Sequence, residues 1–226
     1  MDTVEEKLNM TFQEVGNRFG FENVTATYAA FTDMKVKWIR TMKSIEMRVT
    51  DYLAEAPENV LRGIAECIFG KIKGNDNDYP DDVIEWLTSD KILADNQDTY
   101  IARNRMIDTD EGRYKNLEES LDRLTEQGLL EADTSKLKIF WSTDSDWIQS
   151  GSASNLMKTV VINKRFDSDE VNDRILDLVV LKYVCYALSD FKDSKDERAQ
   201  KLDEAISRYP GFDSAIESIS KMGLDF

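Results

Sequence analysis

Histidine does not occur among the 226 residues of this chain. Its absence removes the commonest zinc ligand and the side chain that most often moves protons near neutral pH. Runs of four or more Lys/Arg are also missing, and the formal net charge is -15. Such a surface repels phosphate backbones and anionic lipid head groups, so we expect neither nucleic acid nor a membrane as partner.

Cysteine is scarce, with Cys67 and Cys185 the two residues of this type. Each lies in an apolar helical pattern, which favours reduced thiols in the core over the alternative of a buried disulfide. The opening MDTVEEKLNMTF is acidic and lacks an apolar signal core, from which we expect a cytoplasmic protein. The glycine-rich phosphate-binding motifs and G-x-S-x-G are absent, and we expect no cofactor.

Long apolar runs are absent except over residues 178–188, where Lys182 is the one polar residue. A helix here has no polar face, so it must be covered on most sides. The run is too short to cross a bilayer, which needs about 20 apolar residues. The sequence therefore predicts a central core helix.

The rest of the chain alternates helical and strand patterns, which predicts the α+β class with small mixed sheets and long core helices. Residues 4–19, 57–74, 81–88 and 114–127 have helical spacing. Residues 23–31, 36–39 and 45–49 predict a small meander, and 139–141 and 157–163 predict two strands separated by a polar excursion over 142–155. We expect an N-terminal half over 1–95, a linker or crossover over 96–113, and a C-terminal half over 114–226.

The two halves show the same order of elements, which makes an internal duplication plausible. Each has a helix and then a strand ending in an apolar-x-Trp step, Val36-Lys37-Trp38 and Ile139-Phe140-Trp141. A second strand, a long helix, a Tyr-Pro pair and a short helix follow. The N-terminal half is then a degenerate repeat of the C-terminal one.

Over about Tyr114 to Met222 the sequence resembles the SprT-like, minimal gluzincin metallopeptidases. The pieces that carry the resemblance are YKNLEESLDRL, Ile139-Phe140-Trp141, MKTVVIN, LDLVVLKYVCYAL and RYPGFDSAIESI. The resemblance implies a zincin-like fold, with an edge strand that holds substrate beside a helix bearing HExxH. In this alignment KYVCY, from Lys182 and Tyr183 to Tyr186, replaces HExxH, and the third ligand falls near Arg198.

The replaced residues remove the chemistry of HExxH, in which two histidines hold zinc and a glutamate activates the bound water. A protonated lysine has no lone pair to donate, and a tyrosine with a pKa of about 10 is no substitute for the carboxylate base. The resemblance therefore implies a pseudo-metallopeptidase with no catalytic residue and no metal. Lys182, Tyr183, Tyr186 and Arg198 are its degenerate metal-site positions.

Lys182 allows two interpretations. Its stem can pack in the core while the ammonium reaches the surface. Alternatively, the ammonium replaces the lost cation and pairs with a carboxylate such as Glu197 or Asp203, because an unpaired buried charge is costly.

The function that we expect is non-catalytic binding of a protein or peptide, or a scaffold role. A groove between the strand over 157–163 and the central helix would hold an extended peptide by strand addition. Met157, Thr159, Val161 and Trp147 are its candidate recognition residues. The alternative is a histidine-free, Mg²⁺- or Mn²⁺-dependent hydrolase that uses the carboxylates of Asp76, Asp78, Asp81 and Asp82. A purely structural role with self-association also stays open, and the sequence does not give the oligomeric state.

Overall fold

The computed structural model describes residues 3–75, 78–144 and 146–226. The chain divides into two compact units, Met1–Asn96 and Gln97–Phe226. Helices and a small mixed sheet occur in each unit, which confirms the α+β class.

The first unit contains the helices and strands that the sequence predicted for this region. Its elements are α1 (Thr3–Arg18), β1 (Asn23–Ala29), β2 (Val36–Arg40), β3 (Ser44–Thr50), a 3₁₀ turn (Asp51–Leu53), α2 (Glu58–Ile72) and α3 (Asp81–Leu87). The core of the unit is aromatic where α1 and α2 meet. The ring of Phe69 lies 6.4 Å from Phe12, 5.9 Å from Phe19 and 5.6 Å from Phe21, measured between centroids.

The strand order of the first sheet is β1–β3–β2, so the predicted meander is wrong. In a meander each strand pairs with its sequence neighbour. Here β3 enters between the other two, parallel to β1 and antiparallel to β2. The alternation of Ile45, Met47 and Val49 gave the buried face of β3 correctly, but a period of two does not identify a strand's neighbours.

A helix, α4 (Asp90–Arg103), runs across the boundary between the units. The second unit continues with β4 (Ile107–Asp108), α5 (Leu117–Glu126), β5 (Lys138–Ser142), β6 (Gly151–Ser154), β7 (Thr159–Ile162), a 3₁₀ turn (Lys164–Phe166), α6 (Asp173–Leu188), α7 (Lys195–Ser207) and α8 (Phe212–Lys221).

The segment 96–113, which the sequence predicted as a linker, contains the end of α4 and the whole of β4. From Gln97 onward it belongs to the second unit. The apolar spacing that would predict α4 is weak at Gln97, a polar residue. Its side chain is buried, and its Nε2 donates hydrogen bonds to the backbone oxygens of Lys136 (3.0 Å) and Met157 (2.9 Å). A polar residue thus faces the interior where an apolar one would mark the helix.

The second sheet has the order β4–β5–β7–β6, with β7 parallel to β5 and antiparallel to β6. The polar excursion predicted over 142–155 was wrong in one respect, because it contains the strand β6. This strand reads GSAS and has no β-branched or aromatic residue, so its composition gives no strand signal.

Three strands of each unit share one topology, β1–β2–β3 in the first unit and β5–β6–β7 in the second. In each set the first strand lies parallel to the third, the second pairs antiparallel with the third, and a 3₁₀ turn and a long helix follow. The second unit has β4 as an additional strand, antiparallel to β5. One predicted match between the halves is wrong. Trp38 lies on β2, whose counterpart by pairing is β6, whereas Trp141 lies on β5, the counterpart of β1.

The predicted central helix is confirmed as α6. It packs against α5, α7, α8 and the strands β6 and β7, and Leu178, Val179, Val180, Leu181 and Val184 are buried along it. Within residues 3–75, 78–144 and 146–226, no helix combines the length and the apolar character needed to span a membrane.

Candidate functional site

The strand predicted to border a peptide groove is not at the sheet edge. β7 pairs with β5 on one side and with β6 on the other, so its backbone has no free side for an added strand. Met157, Thr159 and Val161 are at most 2% exposed, which corrects their prediction as recognition residues. Four consecutive buried residues in β7 are typical of an internal strand covered on both faces.

The edge strand on this side of the sheet is β6, and the segment that leads into it already pairs with Asp225 in an isolated β-bridge. The backbone N–H of Asp225 donates to the Ile148 oxygen at 2.8 Å, and the Ser150 N–H donates to the Asp225 oxygen at 2.9 Å. Asp225 lies parallel to Gln149 in this pairing. The backbone at 148–150 therefore has strand geometry on its outer side.

Asn163, which is fully buried, holds this segment in place. Its Nδ2 donates to the backbone oxygens of Trp147 (2.6 Å) and Gln149 (2.9 Å), and its Oδ1 accepts from the Arg165 N–H. Trp147, the remaining predicted recognition residue, is partly buried at the start of this segment, and Ile148 beside it is exposed. The amide of Asn163 thus positions the edge that the sequence did not reveal.

Tyr183 of α6 packs directly on β6. A Cβ atom added to Gly151 would lie 2.6 Å from the Tyr183 Cε2 and 2.8 Å from the Val161 oxygen, so only glycine fits beneath the ring. The Tyr183 hydroxyl is 3.1 Å from the Ser150 Oγ. Burial raises the pKa of Tyr183, so its hydroxyl stays protonated at neutral pH. This tyrosine fixes the helix against the edge strand.

Lys182 contacts aromatic rings rather than a carboxylate. Its Nζ lies 4.2 Å from the ring centroid of Phe226 and 5.2 Å from that of Tyr183. Burial lowers the pKa of this lysine. The predicted pairing with Glu197 or Asp203 is wrong, because Glu197 accepts the backbone N–H of Ser194 in a helix cap and Asp203 is exposed. Two ring faces attract the ammonium instead.

Tyr186 and Arg198, the other degenerate metal-site positions, line a different part of the unit. Both border a cavity of about 230 Å³ whose wall also contains Cys185, Leu188 and Leu202. The Nε of Arg198 is buried and has no hydrogen-bond partner among the described residues. The four positions therefore fall into two pairs, Lys182 with Tyr183 and Tyr186 with Arg198.

A buried ion pair between α5 and α6 was missed by sequence reasoning. Asp177 is 2% exposed and accepts hydrogen bonds from the Nε and Nη2 of Arg123 and from the Ser120 hydroxyl. An aspartate inside the apolar run LDLVVL was the signal that could have indicated a buried partner.

The acidic cluster predicted around Tyr79-Pro80 is only partly described, since Asp76 lies outside the described residues. Asp78, Asp81 and Asp82 are exposed, and the last two occupy the first turn of α3, where negative charge is favourable. Among the described residues no three Cys, Asp or Glu side chains form a group that could hold a metal ion.

Both cysteines are free thiols and partly buried, and burial raises the pKa of each. Neither side chain is fully enclosed in the core, contrary to the prediction.

Comparison of the chain with protein-family models, curated proteins and solved structures finds no match.

Proposed function

We propose that this chain is a non-catalytic peptide-binding protein whose second unit has a zincin-like fold. It binds an extended peptide by strand addition at the edge formed by residues 148–150 and β6. The observation that carries this proposal is the pairing of Asp225 with Ile148 and Ser150, in which this edge accepts one backbone hydrogen bond and donates another. Strand addition uses the same bonds, which give affinity without requiring a particular peptide sequence.

The residues at the degenerate metal site support a binding role over hydrolysis. Lys182 and Tyr183 stand where HExxH has its first histidine and its glutamate, and their side chains hold the segment 224–226 and β6. The shared topology of the two units supports their origin by duplication. In this proposal the metal chemistry of a zincin ancestor is lost, and the peptide binds at the edge formed by residues 148–150 and β6, since β7 is internal.

The test selects peptides that bind the full chain from a display library of random linear 12-residue peptides. The affinity of each selected peptide for the chain is then measured. Ser150→Pro removes the N–H that points outward to Asp225, while the Ser150 oxygen still accepts from Asn163. We expect this variant to lose peptide binding. Ser150→Ala is the matched control, because it removes the hydroxyl contact with Tyr183 and keeps the backbone N–H.

Asp225→Pro provides the opposite change. It removes the donor to Ile148, which is one of the two backbone hydrogen bonds between Asp225 and the edge, so Asp225 competes less with a peptide and we expect tighter peptide binding. Circular dichroism and thermal melting establish that each variant is folded. Equal affinity of the selected peptides for the natural chain and for folded Ser150→Pro would exclude this edge as the site.

A further inference from the structure

The cavity bordered by Arg198, here called the α6–α7 cavity, has three walls in the second unit. Residues 129–132 after α5 form one wall, the last turn of α6 forms the second, and α7 forms the third. Leu130, Leu188 and Leu202 make the lining largely apolar. Its volume of about 230 Å³ is below the range of about 300–1,000 Å³ that suits drug-sized ligands, so it fits a smaller molecule.

Arg198 brings a positive charge to this largely apolar lining, and no carboxylate of the described residues forms an ion pair with it. Its Nε–H is buried, and no described residue accepts a hydrogen bond from it. The neighbouring acids are used elsewhere, since Asp193 pairs with Lys201 at 2.8 Å and Glu197 caps α7. Glu131 lies at the exposed rim of the cavity. A buried donor without a partner is uncommon in proteins and calls for an acceptor.

We propose that the α6–α7 cavity binds a small aliphatic carboxylate, whose apolar chain packs on the leucines while its carboxylate accepts hydrogen bonds from Arg198. The planar guanidinium matches a carboxylate in geometry and binds it through parallel N–H···O bonds. The site is separate from the edge at 148–150, so it does not depend on the proposed peptide binding.

The test measures binding of octanoate to the natural chain by isothermal titration calorimetry. Octanol keeps the apolar chain without the charge, and acetate keeps the charge without the chain. We expect saturable binding of octanoate and at least tenfold weaker binding of either control, because each control lacks one half of the recognition. Equal affinity for octanol and octanoate, or no octanoate binding at millimolar concentration, would overturn the proposal.

Two variants test whether Arg198 binds the carboxylate of octanoate. Arg198→Gln is expected to weaken octanoate binding about tenfold or more, since it removes a charge-assisted hydrogen bond. Arg208→Gln is the matched control, because it makes the same change at an exposed position at the end of the same helix, and we expect unchanged affinity. Octanoate binding that survives unaltered in Arg198→Gln would also overturn the proposal.

Cys185 supplies an independent readout, because its partly buried thiol borders the same cavity. In a Cys67→Ser chain, octanoate should slow maleimide labelling of Cys185 with the same concentration dependence as the calorimetric titration. Labelling that is indifferent to saturating octanoate would place the ligand elsewhere. This measurement, like the octanol and acetate comparison, needs no change at Arg198.

Discussion

Arg123 of α5 donates two hydrogen bonds to Asp177 of α6, from Nε to Oδ2 at 3.0 Å and from Nη2 to Oδ1 at 2.6 Å. The Asp177 side chain is 3% exposed and that of Arg123 is 31% exposed. The arginine therefore reaches inward from the surface to a carboxylate inside the core. Ser120, one turn earlier on α5, donates to the same carboxylate. This pairing fixes the rotation of the central helix against α5.

Removing the arginine should destabilise the second unit strongly. Arg123→Ala leaves the buried Asp177 carboxylate with Ser120 as its remaining side-chain donor, so we expect the free energy of unfolding to fall by about 3 kcal/mol. Urea unfolding followed by circular dichroism measures the change. Lys138→Ala, which breaks the exposed pair with Asp98, is the control and should have little effect. A small loss for Arg123→Ala would show that the pair contributes little.

Adding one methyl group at Gly151 should separate α6 from the edge strand. In Gly151→Ala the new Cβ lies within 3 Å of the Tyr183 ring and of the Val161 backbone oxygen, and the backbone oxygen has no freedom to move away. We expect a loss of about 1–3 kcal/mol, as for an overpacked core. Ser152→Ala, the next position on β6, is the control. Thermal melting of the two variants side by side tests this, and equal stabilities would contradict it.

Replacing Lys182 should be tolerated. Lys182→Met removes a partly buried ammonium whose pKa is lowered by burial, and it also removes the contact with the Phe226 ring. The desolvation cost and the cation–π attraction offset each other, so we expect the stability to change by less than about 1 kcal/mol. Chemical denaturation gives the value. A loss of several kcal/mol would reveal a buried ion pair that these contacts do not include.

Lowering the pH should lower the free energy of unfolding, in part because Asp108 becomes protonated. The hydrogen bond from the Lys164 ammonium, and then that from the Asp110 N–H, lower the pKa of this carboxyl below its ordinary value. The folded chain therefore binds fewer protons than the unfolded chain near pH 4. The resulting stability is complete above the unfolded pKa of about 3.9 and is lost as pH falls through the folded pKa.

Urea unfolding from pH 7 to pH 3 checks the effect. Asp108→Asn should be less stable than the natural chain at pH 7, and the difference should begin to shrink below about pH 4 and vanish below the folded pKa of Asp108. Asp122→Asn, on the exposed face of α5, makes the same change in charge and is the control. A stability difference between Asp108→Asn and the natural chain that stays constant over this range would contradict the prediction.

The helices were predicted well from sequence because their apolar spacing reports directly which face is buried. The run over 178–188 gave α6 and its central place, and Asn116 marks the start of α5 by accepting the N–H groups of Glu118 and Glu119. Where the apolar spacing along a helix is weak, the helix was predicted poorly. Gln97 concealed α4 because it satisfies backbone oxygens inside the unit with a polar group.

The candidate binding site was predicted less well, because an edge is a property of the whole sheet. The four residues of β7 are all buried and mostly apolar, which makes the strand easy to predict from sequence. The same apolar character places β7 inside the sheet and not at its edge. The true edge, β6, consists of glycine, alanine and serine and gives no signal. Asn163 and Asp225 are far apart in sequence, yet together they shape the segment 148–150.

The sequence by itself determined the α+β class, the central helix and the absence of an HExxH motif, since each depends on composition or on local spacing. Tertiary structure alone decided the strand order, the aromatic contacts of Lys182, the partner of Asp177 and the unpaired Nε of Arg198. These features depend on which distant segments meet. Side-chain periodicity reports burial, but it carries no information about the neighbour that provides it.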